Sequence, residues 1–326
     1  MSAILVGFSR AIDPAVTVVF DGAYKQADTV YDKICNVKKA DSYTTEMGSN
    51  VGLSMAKLKG DQSSIEYEDL LQGDGKNLTQ YEYHIGTKIS RGLMHWNKLG
   101  QIKGLIQQAA LSIVRRREFD ATKLLEQGFA TSYTHSVDGS TVISLSGGDS
   151  VAEISASHST TRSSTAVSNR ITDGTTVNMD LAEDALEAAE TVTAAAITDE
   201  SDQTMVYKID TLFTSRKKSW GAMRLLKTAS GRVGTPNNDI NLIYGRYKLV
   251  VLDYMSSSYA DYWFLQDSAI NKYEGHMTYL EGTPLEKDGP YIDFDTKAIK
   301  YSWMFEAGMG HNEWRDYLGS KGTNAA

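Results

Sequence analysis

YEYHIGTKISRGLMHWNKLGQIKGLIQQAALSIVRRR, residues 81–117, holds two periods back to back. From Tyr81 to Ile89 the chain alternates, with Tyr81, Tyr83, Ile85, Thr87 and Ile89 set against Glu82, His84, Gly86, Lys88 and Ser90. That is the two-residue period of a strand that buries one face. After Arg91 the spacing changes: Leu99, Ile102, Leu105, Ile106, Ala109, Ala110, Ile113 and Val114 recur at three and four, continuing through Ala121, Leu124 and Leu125 to a stop at Gly128. One long amphipathic helix is predicted. At ~1.5 Å per residue it would reach about 44 Å, against a radius of gyration of about 20 Å for a compact chain of this length. An elongated or flattened molecule is expected.

Upstream, Val51, Leu53 and Met55 alternate too, and between them and Tyr81 lies Gly60 to Gly75 with Glu66, Glu68, Asp69 and Asp74. The simplest join is a long hairpin with an acidic end, its arms being these two segments. A two-stranded hairpin is marginal in water because it has no layer on which to bury its apolar face, so this chain or another copy must cover it. Downstream, Ser136 to Asn178 is rich in Ser, Thr and Gly and reads as irregular β and loop. A helix capped by Asp180 follows, with Leu181, Ala185, Ala189, Val192 and Ala196 at helical spacing, then a helix from about Ser215 to Ala229 with Trp220, Met223 and Leu226 on one side. Tyr244 to Tyr254 reads as a buried strand, and shorter strands are expected around Tyr259 to Leu265, His276 to Leu280 and Tyr291 to Asp295. In the last, Ile299 to Phe305, the residues Ile299, Tyr301, Trp303 and Phe305 share a face. The order implies an α+β fold. Four prolines against 27 glycines leave no stiff linker, and no repeat of fixed period occurs.

At 326 residues, 41% hydrophobic and 23% charged, the composition is that of a folded globular protein. The lone Cys35 excludes an intrachain disulfide and any metal site of paired thiolates. A net charge of -8 argues against a protein whose main work is gripping nucleic-acid phosphates. No export signal is read at the N-terminus and no apolar stretch approaches the ~20 residues of a membrane span, so a cytosolic origin without membrane contact is expected.

Catalytic motifs are missing their context. Gly73-Asp74-Gly75 has Leu78 where a dinucleotide fingerprint needs its third glycine. His311-Asn312-Glu313 has the first half of a zinc-deaminase spacing without the cysteines that should follow. The six histidines form no i, i+4 pair, and Asp293-Phe294-Asp295 on an alternating strand would point its carboxylates to solvent beside an inward Phe294. No catalytic, cofactor-binding or metal residue, and no cofactor, is expected. Arg115, Arg116 and Arg117 lie about 100 degrees apart on the helix. They are either a solvated face or partners for Glu66, Glu68 and Asp69 of a neighbouring copy.

This order of elements resembles the major capsid proteins of tailed bacteriophages, Mu-type major head subunits among them, with a fold shared by herpesvirus relatives. The wording agrees at Tyr83-His84-Ile85-Gly86-Thr87-Lys88-Ile89-Ser90-Arg91, at Asp138-Gly139, around Ser157-His158-Ser159, at Asn237-Asn238-Asp239-Ile240-Asn241 and at Tyr262-Trp263-Phe264-Leu265. Departures are His95-Trp96-Asn97, where relatives often carry an acid, and the length of Ser136 to Asn178. The resemblance implies an N-terminal arm (1–45), an extended hairpin loop (46–90), a peripheral domain with spine helix and Ser/Thr-rich β segment (91–175), an axial domain (176–257) and closing peripheral strands (258–326). It implies a structural, non-enzymatic subunit that assembles as pentamers and hexamers into an icosahedral shell around double-stranded DNA, held without sequence-specific binding, and that matures from a procapsid in the host bacterial cytoplasm. Each loop would lie across a neighbour and bury Tyr81, Tyr83 and Ile85. With no long, charged helical segment read before the loop, a separate scaffolding protein is expected, beside a portal and a decoration protein. The alternatives are another ring- or tube-forming phage structural protein, or a cytosolic enzyme with an unrecognised site.

Overall fold

The computed structural model describes residues 3–51, 53, 55–61, 64–69, 71–96, 98–135, 141–160, 166–228, 241–273, 276–283 and 285–322. In chain order these form α1 (Ala3–Gln26), α2 (Tyr31–Ile34), β1 (Asn36–Lys39), β2 (Thr44–Val51), β3 (Leu71–Thr79), β4 (Tyr81–Ile89), α3 (Arg91–His95), α4 (Leu99–Glu126), β5 (Ser132–Thr134) and β6 (Val142–Ser144). There follow α5 (Glu183–Ala188), β7 (Thr211–Ser215), α6 (Arg216–Lys227), β8 (Lys248–Leu252), β9 (Trp263–Gln266), β10 (Thr278–Glu281), β11 (Glu286–Ile292), β12 (Ile299–Gly310) and β13 (Tyr317–Ser320). The class is α+β. The matched strings Asp138-Gly139 and Asn237 to Ile240 lie outside the described residues.

The centre of the molecule is β12. β4 runs antiparallel along one edge, while β11 and then β10 take the other, and β1 joins β10 in parallel. The register places Ile299, Trp303 and Phe305 opposite Ile89, Ile85 and Tyr83, so apolar and aromatic side chains meet across the strands. This face is covered by α1 and α4: Phe20 stacks on Trp303 with ring centres 4.7 Å apart, and Ile102, Ile106, Ala109 and Ile113 enter the same core. Glu126, buried at the end of α4, accepts a hydrogen bond from the Ser256 amide at 2.8 Å and pairs with Lys123 at 2.5 Å, which ties the helix end to the turn after β8.

A second sheet, β13-β9-β7-β8, turns Phe213, Phe264 and Tyr317 toward that core. Its other face, with Leu212, Trp263, Leu265 and Leu318, is covered by Ala185 and Leu186 of α5 and by Ala222 and Leu226 of α6. The link between β12 and β13 therefore joins the two sheets.

Three expectations change. The arm contains a 24-residue helix, α1, where no long helix was read; Ile12, Val16 and Phe20 at four-residue spacing give it a buried stripe. In α6 the side chains toward the sheet are Ser219, Ala222 and Leu226, so Trp220 is 75% exposed and Met223 also faces outward. Small residues let the helix sit close to the sheet. Phe294 is exposed, because Asp293 starts a turn in which its carboxylate accepts the amides of Asp295 and Thr296. The described part of Ser136 to Asn178 packs into the interior in places: Asn169 is buried and hydrogen-bonds Ser155, Glu153 and Tyr317 backbone, clamping this segment to β13.

Candidate functional site

The hairpin is real but has different arms. β2 pairs with β3 from Thr44 opposite Thr79 to Val51 opposite Leu71, with an irregularity between Gly48 and Asn50. Tyr81 to Ile89 is β4, a strand of the body. Both segments satisfy a strand period, but only β12 offers β4 a matching aromatic face, and burial of that face outweighs a solvated pairing with 51–55.

The hairpin root is fixed. Met47 and Leu78 pack on Leu280 of β10. The Asn312 amide donates to the Asp74 carbonyl at 2.9 Å, and Lys76 Nζ donates to the carbonyls of Ser144, at 3.1 Å, and Ser146. Burial pushes the Lys76 ammonium down to about 8. Glycine is required at Gly308, where a Cβ would lie 2.8 Å from the Thr79 carbonyl oxygen.

Beyond the root the described residues of the tip are mostly exposed. Leu53, Met55, Leu58, Ile65 and Tyr67 are all exposed, Tyr67 at 88%. Within the tip Lys57 pairs with Glu66 at 2.7 Å and with Glu68 at 3.6 Å. Asp69 is exposed. Leaving a cluster of large apolar side chains in water is the mark of a surface meant for a partner.

The remaining residues singled out as contacts are placed in the chain's own body. Tyr83 stacks on Phe305 at 5.3 Å and its hydroxyl lies 3.3 Å from His135 Nε2; burial raises its phenol. Ile85 is opposite Trp303, and Tyr81 is partly covered by the same core. Arg116 meets Asp120 of its own helix, with Nη2–Oδ1 2.5 Å and Nε–Oδ2 2.9 Å. Burial pushes the Asp120 carboxyl up to about 6, against the pull of Arg116. Arg117 pairs with Glu281 at 2.7 Å and lies over Phe305. Arg115 is exposed. Two of the three arginines are thus occupied inside the chain.

The link between the sheets is braced by three buried histidine–carboxylate contacts: His158–Asp149 at 2.7 Å, His311–Glu153 at 2.9 Å and His276–Asp316 at 3.2 Å. Burial holds His311 down at about 3 and raises Glu153 well above the usual carboxylate range. His158 stacks on Trp314 at 4.0 Å. These groups join packed segments. Among the described residues no group of three ligating side chains could hold a metal ion, and no helix is long and apolar enough to cross a membrane.

An exposed basic and aromatic surface that the sequence reading did not single out lies where α3 passes into α4. Trp96 is 73% and Leu99 51% exposed, and Arg91, Lys98 and Lys103 stand exposed beside them. The signal was present: from Tyr83 to Arg117 there are seven Lys and Arg and no Asp or Glu.

No family model matches the chain, and no curated protein matches it. Among solved structures it is similar to chains of the satellite phage P4 procapsid that includes the size determination protein (12% identity, TM-score 0.46, covering 94% of this chain and 90% of that one). It is similar as well to the procapsid of bacteriophage JBD30 (13%, 0.48, 98% and 76%) and to the capsid of an empty GTA particle (13%, 0.46, 90% and 95%). The likenesses are to procapsids and capsids.

Proposed function

We propose that this chain is the structural subunit of the icosahedral head shell of a tailed phage, enclosing double-stranded DNA in the virion. The observation that carries the reading is the hairpin: a root locked to the body by Lys76, Asn312 and Leu78, and a tip that presents Leu53, Met55, Leu58, Ile65 and Tyr67 to solvent. A fixed arm with an apolar end reaches for another copy. A contact of arm on body is heterologous, so repeated by rotation it closes rings of five or six, and contacts between rings close a shell. Each contact can be weak, because a subunit held on several sides leaves only when all break together.

The net charge of -8 suits a wall that encloses DNA without gripping it. The role is mechanical, not enzymatic. The partners are further copies as pentamers and hexamers, a separate scaffolding protein, a portal and a decoration protein, with assembly in the host bacterial cytoplasm. The test is expression of the full chain with and without residues 55–68, those residues being replaced by a short Gly-Ser turn. Light scattering and negative-stain images should show closed megadalton shells for the parent and folded, unassembled chains for the deletion. Shells from the deletion, or a parent whose assembled products are rings or tubes and never closed shells, would overturn the reading.

A further inference from the structure

We propose that the acidic hairpin tip of one copy docks on the basic aromatic platform formed by Arg91, Trp96, Lys98, Leu99 and Lys103 of another. This rests on the shell reading and adds to it the receptor of the tip. Residues 61–69 contain Asp61, Glu66, Glu68 and Asp69 with no Lys or Arg; Lys57 pairs with Glu66 and Glu68 within the tip, Asp61 and Asp69 stand exposed outside that pairing, and Ile65 and Tyr67 are 59% and 88% exposed. The platform is the complement: an exposed indole and leucine flanked by three cations that make no ion pair among the described residues. Leu99 and Lys103, four apart on α4, share a face. His95 stands edge-on to Trp96 with ring centres 5.6 Å apart, and Ser90 accepts the Leu93 amide to cap α3, so the indole is carried on ordered backbone.

Tip and platform are both exposed in the single chain, so the tip is not seated on its own platform. Burying Ile65 and Tyr67 against Trp96 and Leu99 supplies the apolar centre that such contacts need, and the charges at the rim set register. Other basic surfaces fit less well. Arg116 and Arg117 are committed to Asp120 and Glu281. The second exposed indole, Trp220, sits on α6, where Asp253, Asp261 and Asp180 already pair with the cations of the first turn.

The experiment is a charge swap in the full chain. Arg91→Glu, Lys98→Glu and Lys103→Glu together should leave the thermal melt of the unassembled chain within a few degrees and cut the yield of closed shells about tenfold or more. The tip triple Asp61→Lys, Glu66→Lys, Asp69→Lys should do the same. Combined in one chain, the six changes should restore shells to within about threefold of the parent. If the reversed platform fails to fold, Lys98→Ala with Lys103→Ala serves in its place, and should weaken assembly and its dependence on low salt. Normal assembly of the platform variants, or no rescue by the swap, overturns the docking. With the tip deletion still unable to assemble, the shell reading would survive that result; if the deletion assembled too, both would fall.

Discussion

β3 and β4 are neighbouring strands of nine residues each, separated by Gln80 alone, and they have opposite fates. β4 enters the sheet beside β12 and helps to close the main core; β3 leaves with β2 toward a tip in water. The difference lies in what each can offer a partner. Tyr81, Tyr83, Ile85 and Ile89 make a continuous inward face, whereas Leu71-Gln72-Gly73-Asp74-Gly75-Lys76-Asn77-Leu78-Thr79 has apolar residues only at its ends. Pairing through backbone alone suffices for a ribbon but not for a core layer. A chain that must be stable before assembly and adhesive afterward can divide the two tasks between adjacent strands.

The comparison is broken most severely from the β4 side. Trp303, opposite Ile85 and stacked on Phe20, is 1% exposed. Trp303→Ala should cost about 3–5 kcal/mol in the denaturant unfolding of the unassembled chain. A loss under about 1 kcal/mol would mean that β4 and α1 are not held by this layer.

Two buried charges sharpen it with opposite signs. Asp120, beneath β4, is pushed up to about 6 by burial. Because the folded state holds that proton more tightly than the unfolded one, the stability it gives is full below about pH 4 and lost as pH rises through 6. The slope over that window integrates to about 3 kcal/mol and should vanish in Asp120→Asn. Lys76, at the hairpin root, is pushed down to about 8. Its contribution is present above its unfolded value near 10.5 and lost as pH falls through 8, so between those limits stability should rise with pH. Lys76→Met should flatten this trend, read as the pH dependence of the melting temperature. An unchanged slope in either variant would remove that group from the account.

How much of this was legible follows the range of the forces involved. β4, the start of α4 and the inward face of β12 are local periodicities that one buried face imposes, and the sequence displays them at Tyr81, Leu99 and Ile299. The pairing of β4 was not legible, since β12 begins 210 residues after Ile89 and alternation does not name its partner. The outward turn of Trp220 follows from Ser219 and Ala222 packing closely, a preference of shape that a count of large apolar residues inverts. The acidic tip could be read directly. Its receptor could not, because Arg117 is removed from consideration only by Glu281, 164 residues away.

The least effect on folding belongs at the tip, and this makes Tyr67 the sharpest discriminator. At 88% exposure its ring touches little in the single chain, so Tyr67→Ala should change unfolding free energy by less than about 0.5 kcal/mol. In a shell where the tip is seated on a neighbour, the same deletion removes an aromatic anchor from a contact made once per subunit. The critical concentration for assembly should then rise about tenfold or more, since ~1.4 kcal/mol per contact is already that much. A residue that is silent in the melt and loud in assembly must owe its environment to another chain. Were Tyr67→Ala to lower the melt and leave assembly unchanged, the tip would be folding onto its own body, and the division of labour between β3 and β4 would be wrong.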